Sequence, residues 1–304
     1  MRVDAVIPVY RPDNKFTQLI QALLRQSHRP GKIILMHTRE DGEEPLKISS
    51  FNAGSSAETF SPAQSETLIE VHELKKSEFD HGGTRNRGVS CSDAERVLLM
   101  TDDAVSADEF LVERMLRGFE EENDENRRVA VCYARQVASP DASPGERFSR
   151  EYNYPKQDRL KSKEDIKTLG IKAFFCSNVC AMYDRKIFDE LGGFPDSTPF
   201  NEDMIFARRA LDAGFFIRYK ADAEVIHSHC FTNIEQFKRN MTLAGSQKAH
   251  PEIFGDVSSE SEGIKYVKTA YGYFKGLGKG YLIVPFAVTC GFRFAGYRLG
   301  KIRY

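Results

Sequence analysis

Four short clusters in the sequence carry side chains able to do chemistry. Thr101-Asp102-Asp103-Ala104 places two carboxylates directly behind an apolar run over 96–100. At the carboxyl ends of strands, where open α/β sheets bind ligands, such a pair holds a hard divalent cation, and that cation can bind a diphosphate. An aspartate capping the next helix explains the same residues without a ligand. Asn201-Glu202-Asp203 opens a helical pattern. Neighbouring carboxylates raise one another's pKa and so suit a general base for a hydroxyl proton. Acids in a first helical turn also favour the helix dipole. His227-Ser228-His229 follows a short strand pattern and offers imidazole ligands for a cation, or two packed histidines. The fourth cluster, FDHGGTRN over 79–86, opens a helix with two glycines whose amides can face a phosphate. Its Arg85 can pair with a phosphate or carboxylate in a bidentate way. A plain helix-start loop is the alternative, and the diglycine fits neither GxGxxG nor the P-loop.

These clusters need a scaffold that brings strand ends together. The apolar run over 3–9 predicts a strand buried on both faces, with Pro8 ending its regular pairing. Phe16, Leu19, Ile20, Leu23 and Leu24 recur at helical spacing up to Pro30-Gly31. Further strands are predicted over 32–36, 67–74 and 96–100, with a short helix over 84–91 and a loop or insertion over 40–66. Repeated βα units imply an α/β fold with a mostly parallel, doubly wound sheet. Beyond it the pattern predicts helices over 108–122, 184–191, 202–213 and 234–245. Strands are predicted over 129–133, 171–183, 215–219 and 224–226. The polar stretch 139–163, with three prolines, reads as a mobile connection or lid.

The chain has 304 residues, 41% of them hydrophobic and 29% charged, which excludes a wholly disordered chain, a collagen-like fibre and a multi-span membrane protein. Its six cysteines form no CxxC, and the CxxxC of Cys176 and Cys180 lacks a second ligand pair. Buried free thiols in a reducing compartment follow. The chain enters a strand pattern at once, so no signal peptide is expected. The net charge of −1 divides into −9 over residues 1–263 and +8 over 264–304. The basic tail calls for an anionic partner, while the acidic body excludes a nucleic-acid binder. Residues 281–292 carry no charge, a run shorter than the roughly 20 apolar residues that cross a bilayer. With flanking Lys and Arg, and ten aromatic residues over 266–304, the tail reads as an interfacial segment on an anionic membrane surface. A basic helix packed on the body, or an oligomer contact, is the alternative. The expected division is a catalytic region over 1–230, with halves 1–104 and 105–230, and a helical C-terminal region over 231–304.

The order of the pieces is more specific than any one of them. Pro8-Val9-Tyr10, HGGTRNRG over 81–88, TDDA over 101–104, NED over 201–203 and HSH over 227–229 together resemble a family 2 glycosyltransferase of the GT-A fold. The HGGTRN segment, the Thr-x-Asp-Ala form and the stretch 217–231, followed by QFKRN over 236–240, resemble bacterial dTDP-L-rhamnose-dependent rhamnosyltransferases of cell-surface polysaccharides. The likeness covers about residues 3–245. It implies that Pro8, Val9 and Tyr10 line the base and ribose pocket. Thr38 lies at the end of the second strand, where the family often has an acid and this chain has His37-Thr38-Arg39-Glu40. Arg85 and Asn86 would lie near the diphosphate or sugar, and Cys176-Ser177-Asn178 along the sugar and acceptor pocket. Thr101 and Asp103 take the two outer positions of the metal motif. Asp103 is then the principal ligand of Mg²⁺ or Mn²⁺, Asp102 a secondary one, and His227 or His229 completes the metal or diphosphate site. Asp203 would be the base of an inverting displacement, with Glu202 supporting it or touching the acceptor. The implied partners are dTDP-L-rhamnose, an oligosaccharide or lipid-linked saccharide acceptor, and the membrane on its cytoplasmic face. A UDP-hexose donor on the same fold, or a non-catalytic scaffold in polysaccharide assembly, are the rival readings. Intact carboxylates at both Asp103 and Asp203 argue against the scaffold.

Overall fold

In the computed structural model the N-terminal apolar run forms β1 (Val3–Tyr10), with Val3, Ala5, Val6, Ile7 and Val9 all buried. The structure describes residues 1–40, 42–46, 67–121, 127–257 and 260–303. Most of the loop expected over 40–66 lies outside them. Asp13 caps α1 (Asn14–Leu24), which buries Phe16, Leu19, Ile20 and Leu23 against the sheet. Then follow β2 (Lys32–Arg39), β3 (Leu68–Lys75), α2 (His81–Ser90), β4 (Arg96–Met100), β5 (Val105–Ser106) and α3 (Leu111–Glu120). The second half runs β6 (Val129–Val137), α4 (Pro144–Asn153), β7 (Arg159–Lys161), α5 (Ile166–Leu169), β8 (Cys180–Asp184), α6 (Arg185–Glu190), α7 (Glu202–Asp212) and β9 (Phe216–Ile226). Four helices close the chain: α8 (Asn233–Ala249), α9 (Pro251–Phe254), α10 (Glu260–Gly276) and α11 (Ile283–Arg303).

The sheet order is β3-β2-β1-β4-β8-β6-β9-β5, with β7 also on β9. The first four strands are parallel, as the βα repeat predicts. The second half is mixed: β8 runs antiparallel to β4 and β6, β9 runs parallel to β6, and β5 and β7 run antiparallel to β9. Pro8 does not end the pairing with β2, which continues to Tyr10 opposite Thr38. Pairing with β4 stops at Val6, so the missing amide costs one ladder and spares the other. One apolar layer, with α1 and α3, covers one face of the sheet. The other, with Val89 of α2 and the inner faces of α6 and α7, covers the opposite face.

Three regions differ from the pattern reading. The polar stretch 139–163 holds a helix and a strand: Ser143 caps α4, with Pro144 in the first turn, and Lys161 of β7 is buried. The apolar stretch 171–183 contributes only β8 to the sheet; Ala173, Phe174 and Cys176 are buried instead beneath α7 and α9 in the core layer. The tail forms a helix from Gly280 to Arg303, longer than its uncharged run, and long and apolar enough by length and composition to cross a membrane. Its inner face packs on α8 with Gly296 and Gly300 buried, while its outer face exposes Tyr281, Val284, Val288, Leu299 and Ile302. All six cysteines are free; Cys132, Cys176 and Cys180 are buried and Cys230 is exposed.

Candidate active site

The parallel strands bring three of the expected clusters to one end of the sheet. Tyr10 ends β1 beside Thr38 of β2, and its backbone N–H donates to Asp102 Oδ2 at 3.0 Å. Burial, with Asp103 adding to it, pushes the Asp102 carboxyl up to about 6. Thr38 is buried, and among the described residues its hydroxyl has no partner. Glu40 gathers the Tyr10 hydroxyl, Arg11 at 2.7 Å and Lys76 at 3.0 Å at the rim, and the hydrogen bonds from Tyr10 and Lys76 hold its pKa at about 2.

Asp103, the next residue, lies between the two histidines of the loop after β9. His227 Nε2 is 3.4 Å from Oδ1 and His229 Nε2 is 3.5 Å from Oδ2. One ligand atom from each of the three residues lies within 4.8 Å of the others. Burial opposes ionisation of Asp103, but the hydrogen bond and field of His227, then the field of His229, outweigh it and hold the carboxyl well below its ordinary range. Burial and the adjacent His227 pull His229 down to about 4. His227 Nδ1 is 2.9 Å from Gln136 Oε1, which also accepts from Arg150. An amide oxygen only accepts, so Nδ1 carries a proton and Nε2 is the nitrogen turned to Asp103, as a donor to the carboxylate without a metal or as a ligand once that proton is displaced. One carboxylate and two imidazole nitrogens form a mixed oxygen and nitrogen donor set, which a divalent cation such as Mn²⁺ fits.

A second acidic centre forms where α7 begins. Asn201 sits at φ +67°, the left-handed region that asparagine tolerates better than most residues, and turns the chain into the helix. Glu202 Oε1 is 3.3 Å from Arg85 of α2 in a buried ion pair, and accepts from Asn178 Nδ2 at 3.1 Å. Asp203 accepts from the Asn178 and Met204 backbone N–H groups at 3.1 and 2.8 Å. Burial and the Glu202 charge raise the Asp203 pKa well above the usual carboxylate range. Tyr183 of β8 donates to Asn178 Oδ1 at 2.6 Å, so both ends of that amide are engaged. The Thr101 N–H donates to Val179 O at 3.2 Å and ties this loop to the end of β4.

A cavity of about 860 Å³ joins the two centres; Thr101, Arg85, Asn178, Glu202, Asp203, His227 and His229 all line it. Its far wall comes from α4, α8 and α11, including Arg150, Arg239, Phe286 and Arg293. Asn86 is not on this wall. Its amide exchanges hydrogen bonds with the Phe194 backbone, at 2.9 and 3.0 Å, and fastens that loop over α2. The diglycine serves the same packing. The Gly83 N–H is capped by Asp80 at 2.7 Å, and a Cβ on Gly82 would lie 2.2 Å from the Pro195 carbonyl oxygen. Gln136, Arg150 and Tyr183, absent from the pattern reading, emerge as the partners that orient His227 and Asn178; no local motif marks them.

The model of Glycosyl transferase family 2 matches residues 4–192. The chain is 32% identical to the O-antigen chain rhamnosyltransferase RfbN of Salmonella typhimurium, over 99% of this chain and 90% of that one. It is 32% identical to the O-antigen chain rhamnosyltransferase WbaN of Salmonella anatum, over 97% and 88%. Among solved structures it resembles the mannosyltransferase PcManGT of Pyrobaculum calidifontis, in complex with GDP-Man and Mn²⁺. That match has a TM-score of 0.61 at 11% identity and covers 99% of this chain and 87% of that one. It also resembles S. aureus TarS 1–349, with a TM-score of 0.54 at 13% identity, covering 100% and 91%. The fold is therefore GT-A, and the chain belongs to glycosyl transferase family 2 as a glycosyltransferase.

Proposed function

We propose that the enzyme transfers L-rhamnose from dTDP-L-rhamnose to a sugar hydroxyl of a lipid-linked, O-antigen-type polysaccharide precursor. The reaction would take place on the cytoplasmic face of the membrane with Mn²⁺ or Mg²⁺ bound. The observation that carries this reading is one cavity lined both by a base-like carboxylate, Asp203, and by His227 and His229, the two imidazoles that face Asp103. The two Salmonella rhamnosyltransferases, alike along almost the whole chain, support the donor.

The chemistry is one inverting displacement. Asp203 takes the proton of the acceptor hydroxyl while that oxygen forms its bond to the anomeric carbon. The bond from that carbon to the diphosphate breaks with its electron pair, and the nucleoside diphosphate departs. Asn178 orients Asp203 through its backbone N–H, and the Glu202 charge keeps that carboxylate basic. Arg85 balances part of the Glu202 charge in a buried ion pair. Asp103, His227 and His229 would hold a divalent cation, which when bound neutralises charge growing on the departing diphosphate. Tyr10 and Thr38 frame the base side. The exposed apolar face of α11 and the +8 tail rest on the anionic membrane surface. With its other face committed to α8, α11 lies along the interface and does not cross it.

Calorimetry with dTDP-L-rhamnose, dTDP-glucose, UDP-glucose and GDP-mannose, with and without Mn²⁺, tests the donor. Metal-dependent preference for dTDP-L-rhamnose is expected, and preference for a UDP-sugar overturns that assignment. Asp203→Asn should keep donor affinity and lose roughly 10²–10⁴-fold in transfer rate. Transfer at the wild-type rate removes Asp203 as the base.

A further inference from the structure

A second cavity of about 350 Å³ adjoins the first, between α8, α10 and α11. Asn153, Leu243, Cys290 and Arg293 line both, so the two are neighbouring compartments with these residues at their boundary. The second is walled mainly by apolar and aromatic surface, from Leu243, Tyr266, Phe294 and Tyr297. Both volumes fall within the range of ligand sites, roughly 300–1,000 Å³. At the boundary the charge is positive. Arg293 touches the Tyr266 hydroxyl, and no described carboxylate forms an ion pair with Arg293 or with Arg239 beside it. Arg239, on the wall of the first cavity, lies over the Phe231 and Phe200 rings at 4.6 and 5.4 Å, and burial and the field of Arg293 hold it below its ordinary value. Arg293 at the mouth of an apolar groove, with Arg239 farther along the wall of the larger cavity, complements an amphiphile with a phosphate head and a hydrocarbon tail.

We infer that the junction at Arg293 is the subsite for the phosphate of the acceptor's carrier lipid, with the first stretch of a single hydrocarbon chain lying in the groove between α8, α10 and α11. This inference rests on the glycosyltransferase reading above and names what its acceptor must carry: a long-chain alkyl phosphate or diphosphate. The saccharide then projects from Arg293 into the larger cavity toward Asp203, and the chain runs along the helix whose outer face is apolar.

The test is calorimetry on the full chain with farnesyl diphosphate below its micelle concentration, with and without saturating dTDP and Mn²⁺. Farnesyl diphosphate should bind in both conditions. Inorganic pyrophosphate should bind at least tenfold more weakly, and Arg293→Gln should weaken farnesyl diphosphate at least tenfold while leaving dTDP–Mn²⁺ affinity unchanged. Cys290→Phe, which fills the junction without removing charge, should weaken farnesyl diphosphate as well. Equal affinity for pyrophosphate, an unchanged Arg293→Gln, or displacement by dTDP and Mn²⁺ each overturns the subsite. Loss of dTDP–Mn²⁺ binding in the wild-type chain would instead strike the glycosyltransferase reading, so the two failures are distinguishable.

Discussion

Replacing Gly296 by alanine should loosen the C-terminal helix from the catalytic body, and the size of the effect follows from two distances. A Cβ at Gly296 would lie 2.2 Å from the Phe237 carbonyl oxygen, and one at Gly300 would lie 2.2 Å from that of Met241. Ordinary contact begins at 3.4 Å, so α11 must lift from α8 by about 1 Å. Carbonyls within a helical ladder cannot rotate away, and overpacking of this kind costs about 1–3 kcal/mol. Alanine also gains about 0.8–1 kcal/mol in helix propensity over glycine. Gly291→Ala measures that gain alone, because position 291 in the same helix is exposed with nothing within 4 Å of its Cβ. The two variants should therefore move stability in opposite directions and differ by about 1–3 kcal/mol. Because Phe237 and Met241 are one turn apart, a single lift relieves both clashes, and Gly296→Ala/Gly300→Ala should cost clearly less than the sum of its parts. Thermal unfolding reads the totals, and hydrogen exchange over residues 283–303 locates them. If Gly296→Ala behaves like Gly291→Ala, the close packing of α11 on α8 is refuted.

Three further outcomes follow from the acidic and metal-ligand centres and the outer face of the tail. On the proposed mechanism Asp203 must be ionised to accept a proton, and its raised pKa means activity should fall as pH drops through a point above the ordinary carboxylate range. Besides Glu202, it faces Arg85 and the neutral Cys176, Tyr154 and Tyr183. Glu202→Gln removes the repelling charge and leaves Arg85 unopposed, so the acid limb of the pH–rate profile should move to lower pH; a shift upward contradicts the coupling. Gln136→Leu frees the His227 ring and should weaken Mn²⁺ binding roughly 10–100-fold by calorimetry, whereas unchanged affinity would remove His227 from the ligand set. Val288→Asp, at a position 48% exposed on α11, should reduce co-sedimentation with anionic vesicles by about tenfold while nucleotide binding persists; equal sedimentation removes the outer face from the membrane contact.

The parallel half of the sheet was legible because each strand is a short apolar run ending in a turn signal, and the run 96–100 is β4 to the residue. Asp102 and Asp103 were visible because they follow such a run, and Glu202 and Asp203 because they open an amphipathic helix. What joins them was not legible. Gln136 meets His227 across 91 positions and Arg85 meets Glu202 across 117, and no local pattern encodes a contact made by strands crossing in space. Helix α4 carried a readable start in Ser143, Pro144 and Glu146, but its polar composition masked it, since just Phe148 of that helix is buried. The stretch 171–183 misled in the opposite way: it is apolar because α7 and α9 cover it, not because it pairs in the sheet. The tail's mixed character reflects two environments on one helix, glycines against α8 and aliphatic side chains outward.

The placement of α11 also bears on how such enzymes are recombined. A chimaera cut after residue 230 looks like an exchange of a targeting appendage for another. Here the exchanged piece contributes Arg239, Phe286, Thr289 and Arg293 to the lining of the same cavity that holds Asp203. If the proposed membrane contact holds, subcellular address and the shape of the cavity are inherited together as one module, and selection on either drags the other with it.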